Sequence, residues 1–191
     1  DGLDAAHAKG VLHLDFKSDN VMLRQSRSGV EAVILDFGLS RVLDPEARPR
    51  TSEQQHCAGT LGYMAAEQFR GDKNLKAPTD VYAFGVVLYE MLAGTLPYTA
   101  ENGTQMYLKQ RNERPPAPSN FRPQLSPALD HFVLKCLRFN PQSRYPSAAS
   151  ASQAFDALGG WSSKPSLWHR GHRLLWAALA TGAIAVWIRY L

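Results

Sequence analysis

The chemistry available to this chain sits in two short runs, His13-Leu14-Asp15-Phe16-Lys17-Ser18-Asp19-Asn20 and Asp36-Phe37-Gly38. The Asp15 carboxylate can take a proton from a hydroxyl nucleophile. The Lys17 ammonium, two residues on, can set positive charge beside a phosphoryl group in transfer, whose equatorial oxygens carry the charge. Asn20 and Asp36 offer the hard oxygen donors that Mg²⁺ prefers. Three of these residues, Asp15, Asn20 and Asp36, could take part in phosphoryl-transfer chemistry. Asp19 is expected to be a solvated loop carboxylate.

Local structure must bring the two runs together. Leu3, Ala6, His7 and Val11 recur at helical intervals and Lys9-Gly10 is a stop signal, so residues 1–9 read as the end of a helix. Residues 20–24 and 30–35 read as strands, with turn chemistry in Gln25-Ser26-Arg27-Ser28-Gly29 between them. An antiparallel hairpin starting after Asn20 and ending before Asp36 returns both oxygen ligands to one end, where a metal site can form.

These runs resemble the H-x-D-x-K-x-x-N catalytic loop and D-F-G metal-binding loop of protein kinases. The resemblance implies an α+β, mainly α fold: the large (C-terminal) lobe, with a small β-hairpin at the catalytic loop, over residues 1–158. It implies ATP and Mg²⁺ as cofactors and proteins with Ser or Thr hydroxyls as substrates. Asp15 would be the base, Lys17 would assist the transferring phosphoryl group, and Asn20 and Asp36 would bind metal. Met22 would lie under the adenine ring, and His13 and Phe37 would stack in a hydrophobic spine, although Met22 and Phe37 also suit plain core packing. Lys at position 17 goes with Ser/Thr specificity in this family. Leu14 stands where most kinases have Arg, so the chain resembles the subset in which a phosphorylated activation loop lacks its usual charge partner.

Residues 39–58 are polar and poor in apolar anchors, as a mobile activation segment would be. Ser40, Thr51 and Ser52 are either phosphorylation sites or solvated loop hydroxyls. Gly59-Thr60-Leu61-Gly62-Tyr63-Met64-Ala65-Ala66-Glu67 resembles the motif that closes this segment, with Ala66 where Pro is usual. By analogy Thr60 would hydrogen-bond near Asp15 and Lys17. Glu67 would form a buried ion pair with Arg144, a contact whose loss costs roughly 3–5 kcal/mol. Asp80 to Leu92 is apolar on nearly all faces and predicts a helix at the centre of the bundle, capped by Thr79 or Asp80 and stopped at Gly94. By resemblance, the Asp80 carboxylate would also hold the catalytic-loop backbone. Further helices are expected over 101–111, 126–137 and 147–158, with a rigid extended connector over 114–118.

The chain has 191 residues, is 45% hydrophobic and 20% charged, and carries a net charge of +4, which suits a globular domain. No basic stripe interleaved with aromatics points to nucleic acid. Cys57 and Cys136 lack metal-ligand or disulfide spacing and read as free thiols. Residues 159–173 form a basic Gly/Ser/Pro-containing linker. Residues 174–188 are uncharged and apolar, about 22 Å long as a helix against roughly 30 Å of hydrocarbon. Arg173, Arg189, Trp176 and Trp187 stand where interfacial anchors would, so a single-pass membrane helix with a cytoplasmic kinase region is expected. A helix lying in the interface or docked on a partner is the other reading. A glycine-rich phosphate loop, a strand Lys and a helix Glu would have to precede Asp1, so the chain is expected to be a portion of an enzyme and inactive alone. The competing function is a non-catalytic kinase-like interaction module at the membrane.

Overall fold

The computed structural model describes residues 2–26, 29–37, 41–42 and 60–158. The order is helix α1 (Gly2–His7), strands β1 (Val11–Leu12), β2 (Val21–Ser26), β3 (Gly29–Ile34) and β4 (Arg41–Val42), then helices α2 (Ala66–Phe69), α3 (Ala77–Ala93), α4 (Gly103–Asn112), α5 (Pro127–Cys136) and α6 (Ala148–Asp156). Short 3₁₀ turns at Ser18–Asn20, Thr60–Tyr63, Pro118–Asn120 and Pro141–Ser143 join them. The described residues thus form the α+β, mainly α arrangement expected, with two small antiparallel sheets, β1–β4 and β2–β3.

The core is built around α3. Tyr82, Val86, Val87, Leu88 and Tyr89 are all essentially inaccessible, and Leu129, Phe132 and Val133 of α5 join them in one apolar cluster. Burial on nearly every face follows from a helix that is apolar all round. α3 and α5 cross at Gly85, where a Cβ would come 2.5 Å from the Cys136 Cβ. Burial pushes the Cys136 thiol up to about 12, so it stays a neutral core group. Cys57 lies outside the described residues.

A second tie is electrostatic. Arg144 donates from Nη1 to Glu67 Oε1 at 2.7 Å and from Nη2 to Oε2 at 2.9 Å. Its remaining donors go to the carbonyls of Pro78, Arg138 and Phe139. Thr79 Oγ1 also donates to Glu67 Oε1, at 3.0 Å. Both charges are buried, and this bidentate, fully hydrogen-bonded geometry is what makes a buried pair tolerable. It fixes α2 to the start of α3 and to the turn before α6.

Several boundaries differ from expectation. The β2–β3 ladder continues through Gln25↔Val30 and Ser26↔Gly29, so the expected turn over 25–29 is narrower. Backbone pairing carries the hairpin past the point where side chains read as turn-forming. α3 starts at Ala77 with Lys76 at its N-cap, so neither Thr79 nor Asp80 caps it. Pro78 fits the first turn, which needs no N–H from it, and Asp80 is thereby placed inside the helix. Arg41–Val42, in the stretch expected to be mobile, pairs with Val11–Leu12. Helix ends elsewhere fall within a residue or two of those expected, with Ser126 and Asn102 as side-chain N-caps and Gly94 left-handed after α3. Ser40, Thr51, Ser52, the linker and residues 174–188 lie outside the described residues. Among the described residues no helix is long and apolar enough to cross a membrane.

The α3–α5 crossing yields a direct test. Gly85→Ala should lower stability by about 1–3 kcal/mol, because the Cys136 Cβ is tethered to its backbone and cannot give way. A urea melt with an unchanged m value and a lower midpoint is the expected readout. An unchanged midpoint would mean that the crossing is looser than described.

Candidate active site

Residues 13–20 are held from beneath by Asp80. The His13 N–H donates to Asp80 Oδ2 and the Leu14 N–H to Oδ1, each at 2.8 Å. His7 Nε2 lies 2.8 Å from Oδ2 and, facing a carboxylate oxygen, is its donor. Asp80 is fully buried, and its place in α3 rather than at the helix cap is what aims the carboxylate at this backbone.

His13, itself buried, braces the next residue. Its Nδ1 accepts from the Asp15 N–H at 3.3 Å, which leaves Nε2–H to donate to the Leu35 carbonyl at 3.2 Å. That pair of bonds sets the tautomer. The imidazole lies 4.7 Å from the Phe37 ring and 5.7 Å from Phe16, centroid to centroid. The two runs singled out in the sequence therefore meet through this histidine.

Asp15 is partly buried, with Lys17 Nζ 3.2 Å from its Oδ2. Asn20 Nδ2 donates to the Asp15 carbonyl at 2.8 Å and reaches Oδ2 at 3.4 Å. Among the described residues no hydrogen bond uses Asn20 Oδ1, the atom a metal would need. The Leu35 N–H donates to the Asn20 carbonyl at 2.7 Å, and Val21 pairs with Ile34. This register puts Asp36 at the same end of the hairpin as Asn20. Leu14 and Asp36 both have left-handed backbones, at φ 64° and 56°. Such strain, roughly 1–2 kcal/mol for an L-residue, persists where surrounding contacts over-determine it. Met22 is 46% exposed on β2, with Leu35 and Phe37 also open, so Met22 is not a core-packing residue among those described. Thr60 opens the 3₁₀ turn before α2; its side chain and Gly38 lie outside the described part.

Sequence reasoning missed several supports. Tyr63 OH donates to Glu90 Oε2 at 2.6 Å and sits 2.9 Å from Ser18 Oγ, tying the Thr60–Tyr63 turn to α3 and to the loop. Burial and then the Glu90 contact raise the Tyr63 phenol far above its ordinary range, so it remains a donor. Gln68 Nε2 donates to the Leu14 carbonyl at 2.9 Å. Gln110 Nε2 holds the Met64 carbonyl at 2.9 Å. Only Gln68 gave a signal, as the Gln three residues past the N-cap position Ala65.

The oxygens of Asn20 and Asp36 are of the hard type that could hold a divalent cation. Asn20 and Asp36 stand at one end of the hairpin, and Asn20 lies against Asp15, which Lys17 approaches in turn. Comparison with known proteins identifies the family. Residues 1–155 match the protein kinase domain family. The chain is 36% identical over 156 residues to serine/threonine-protein kinase pkn3 of Myxococcus xanthus, covering 80% of this chain and 28% of that protein. It is 37% identical over 155 residues to Pkn1 of the same organism, covering 81% and 22%. It is also 37% identical over 158 residues to PknD of Mycobacterium tuberculosis, covering 82% and 23%. The chain thus spans about a quarter of the length of these relatives. With the spacing of residues 13–20, the hairpin that returns residue 36 and the match over 1–155 in agreement, this chain belongs to the protein kinase family.

Proposed function

We propose that these residues form the catalytic half of a protein serine/threonine kinase, which moves the γ-phosphoryl group of ATP to Ser or Thr hydroxyls of protein substrates. The observation that carries this reading is the Asn20 amide. One nitrogen secures the Asp15 backbone and reaches its carboxylate, which leaves the amide oxygen for a metal on the side where Asp36 arrives.

In this reading Asp15 orients the substrate hydroxyl and accepts its proton as the oxygen attacks phosphorus. The β–γ bridging bond breaks and the electrons leave with ADP. Lys17, 3.2 Å from Asp15, faces the same reacting group and offsets charge on the equatorial oxygens. Asn20 and Asp36 would hold Mg²⁺, which would supply positive charge against the phosphates. Exposed Met22 offers an apolar surface for adenine. Lys17, with Thr60 in the closing motif, supports Ser/Thr over Tyr as acceptor. The names of the relatives support the same class. For location, we propose that residues 174–188 anchor the protein in the cell membrane with the kinase region cytoplasmic, supported by their apolar run and the basic residues before it.

In the full-length protein, Asp15→Asn should lower kcat by about 10²–10⁴-fold while ATP still binds. Near-normal phosphorylation of a protein substrate would remove Asp15 as the base. Deleting residues 172–191 should move the protein from the membrane to the soluble fraction; full-length protein already soluble without detergent would overturn the anchor.

A further inference from the structure

Leu14 holds a backbone conformation that its side chain does not favour, and both of its peptide groups are gripped. Its N–H goes to Asp80. Its carbonyl accepts from Gln68 Nε2 at 2.9 Å, across fifty-four positions of sequence. That carbonyl and the Asp15 N–H belong to one peptide plane. The N–H end makes only a 3.3 Å contact to His13 Nδ1, so the amide of Gln68 is the shorter restraint on the plane. This plane ends at the Asp15 Cα, so its orientation enters the φ of Asp15 and with it the direction in which the side chain leaves the backbone.

Gln68 is itself pre-oriented. Its Oε1 accepts from the Ala65 N–H at 2.9 Å, so the nitrogen of the amide must face Leu14. The preceding residue, Glu67, is bound through both oxygens to Arg144. The frame that presents Gln68 is therefore fixed to the helical core. Phe16, Tyr63 and Asp80, all buried, line the space around this contact.

We propose that Gln68 is a positioning residue for Asp15: it caps the Leu14 carbonyl from the closing end of the activation segment and sets the direction of the base. This rests on the kinase reading above. The bland alternative is that Gln68 only caps α2 through Ala65. A Glu at this position performs that capping at least as well, since it keeps the acceptor and suits a helix N-terminus. It also turns the donor facing Leu14 into an acceptor, which repels the carbonyl. The two roles thus separate in one variant of the same shape.

The test is steady-state kinetics on full-length Gln68→Glu, with the backbone amide of Asp15 followed by NMR. The expected result is a fall in kcat of roughly 10- to 100-fold with KM for ATP changed by less than about twofold, and a displaced Asp15 amide resonance. Parent-like kcat with an unmoved resonance would overturn the proposal and leave a helix cap. Gln68→Met, which removes donor and acceptor without adding charge, should lower kcat in the same direction; if the Glu variant does not fold, this variant decides by the same two readouts. If the parent transfers no phosphate at all, the kinase reading fails, and the amide resonance alone decides for or against the Gln68 contact.

Discussion

Three donors converge on the carboxylate of Asp80, inside the most buried helix among the described residues: the N–H groups of His13 and Leu14 and the imidazole of His7. A buried carboxylate demands such partners, since each missing one costs about 1–3 kcal/mol or more. Loop and helix therefore specify each other. The loop cannot leave without stranding Asp80, and α3 is held in turn by the apolar cluster it shares with α5. The loop that carries Asp15 is thus fastened to a helix buried on nearly every face.

The rest of the site is a chain of short relays from that anchor. His13 passes it to Asp15 and, through Leu35, to the end of the hairpin. Asn20 closes the loop onto Asp15. Tyr63 and Gln68 bring the segment after residue 59 against the same loop from the other side. Among the described residues, the two non-glycine positions with left-handed backbones, Leu14 and Asp36, lie in or beside this network, as expected where surrounding contacts rather than local preference set the backbone. The Leu14 backbone is engaged at both its N–H and its carbonyl.

How much of this the sequence disclosed depends on the kind of interaction. The hairpin was legible because its apolar residues and turn residues are local signals, and the antiparallel return of residue 36 follows from them. α3 was legible because an apolar run without a polar face has few other places to go. Its start was not, because Pro78 and Lys76 offer a beginning that the hydrophobic pattern does not mark. The β1–β4 pairing was hidden for a similar reason: two residues of backbone pairing leave no side-chain pattern. The Gln68–Leu14 contact was hidden because it joins residues far apart in sequence and uses a backbone carbonyl. The grip on the loop through His7 was missed although Asp80 itself was suspected, since a lone His on a short helix reads as ordinary.

The most direct check on the anchoring role of Asp80 is native-state hydrogen exchange on Asp80→Asn in the full-length protein. Asn keeps the shape but turns one acceptor into a donor that faces other donors. The amides of His13 and Leu14 should lose protection by about tenfold or more, while those of Val86 and Val87 in α3 keep theirs. Unchanged protection at His13 and Leu14 in a folded variant would contradict the account.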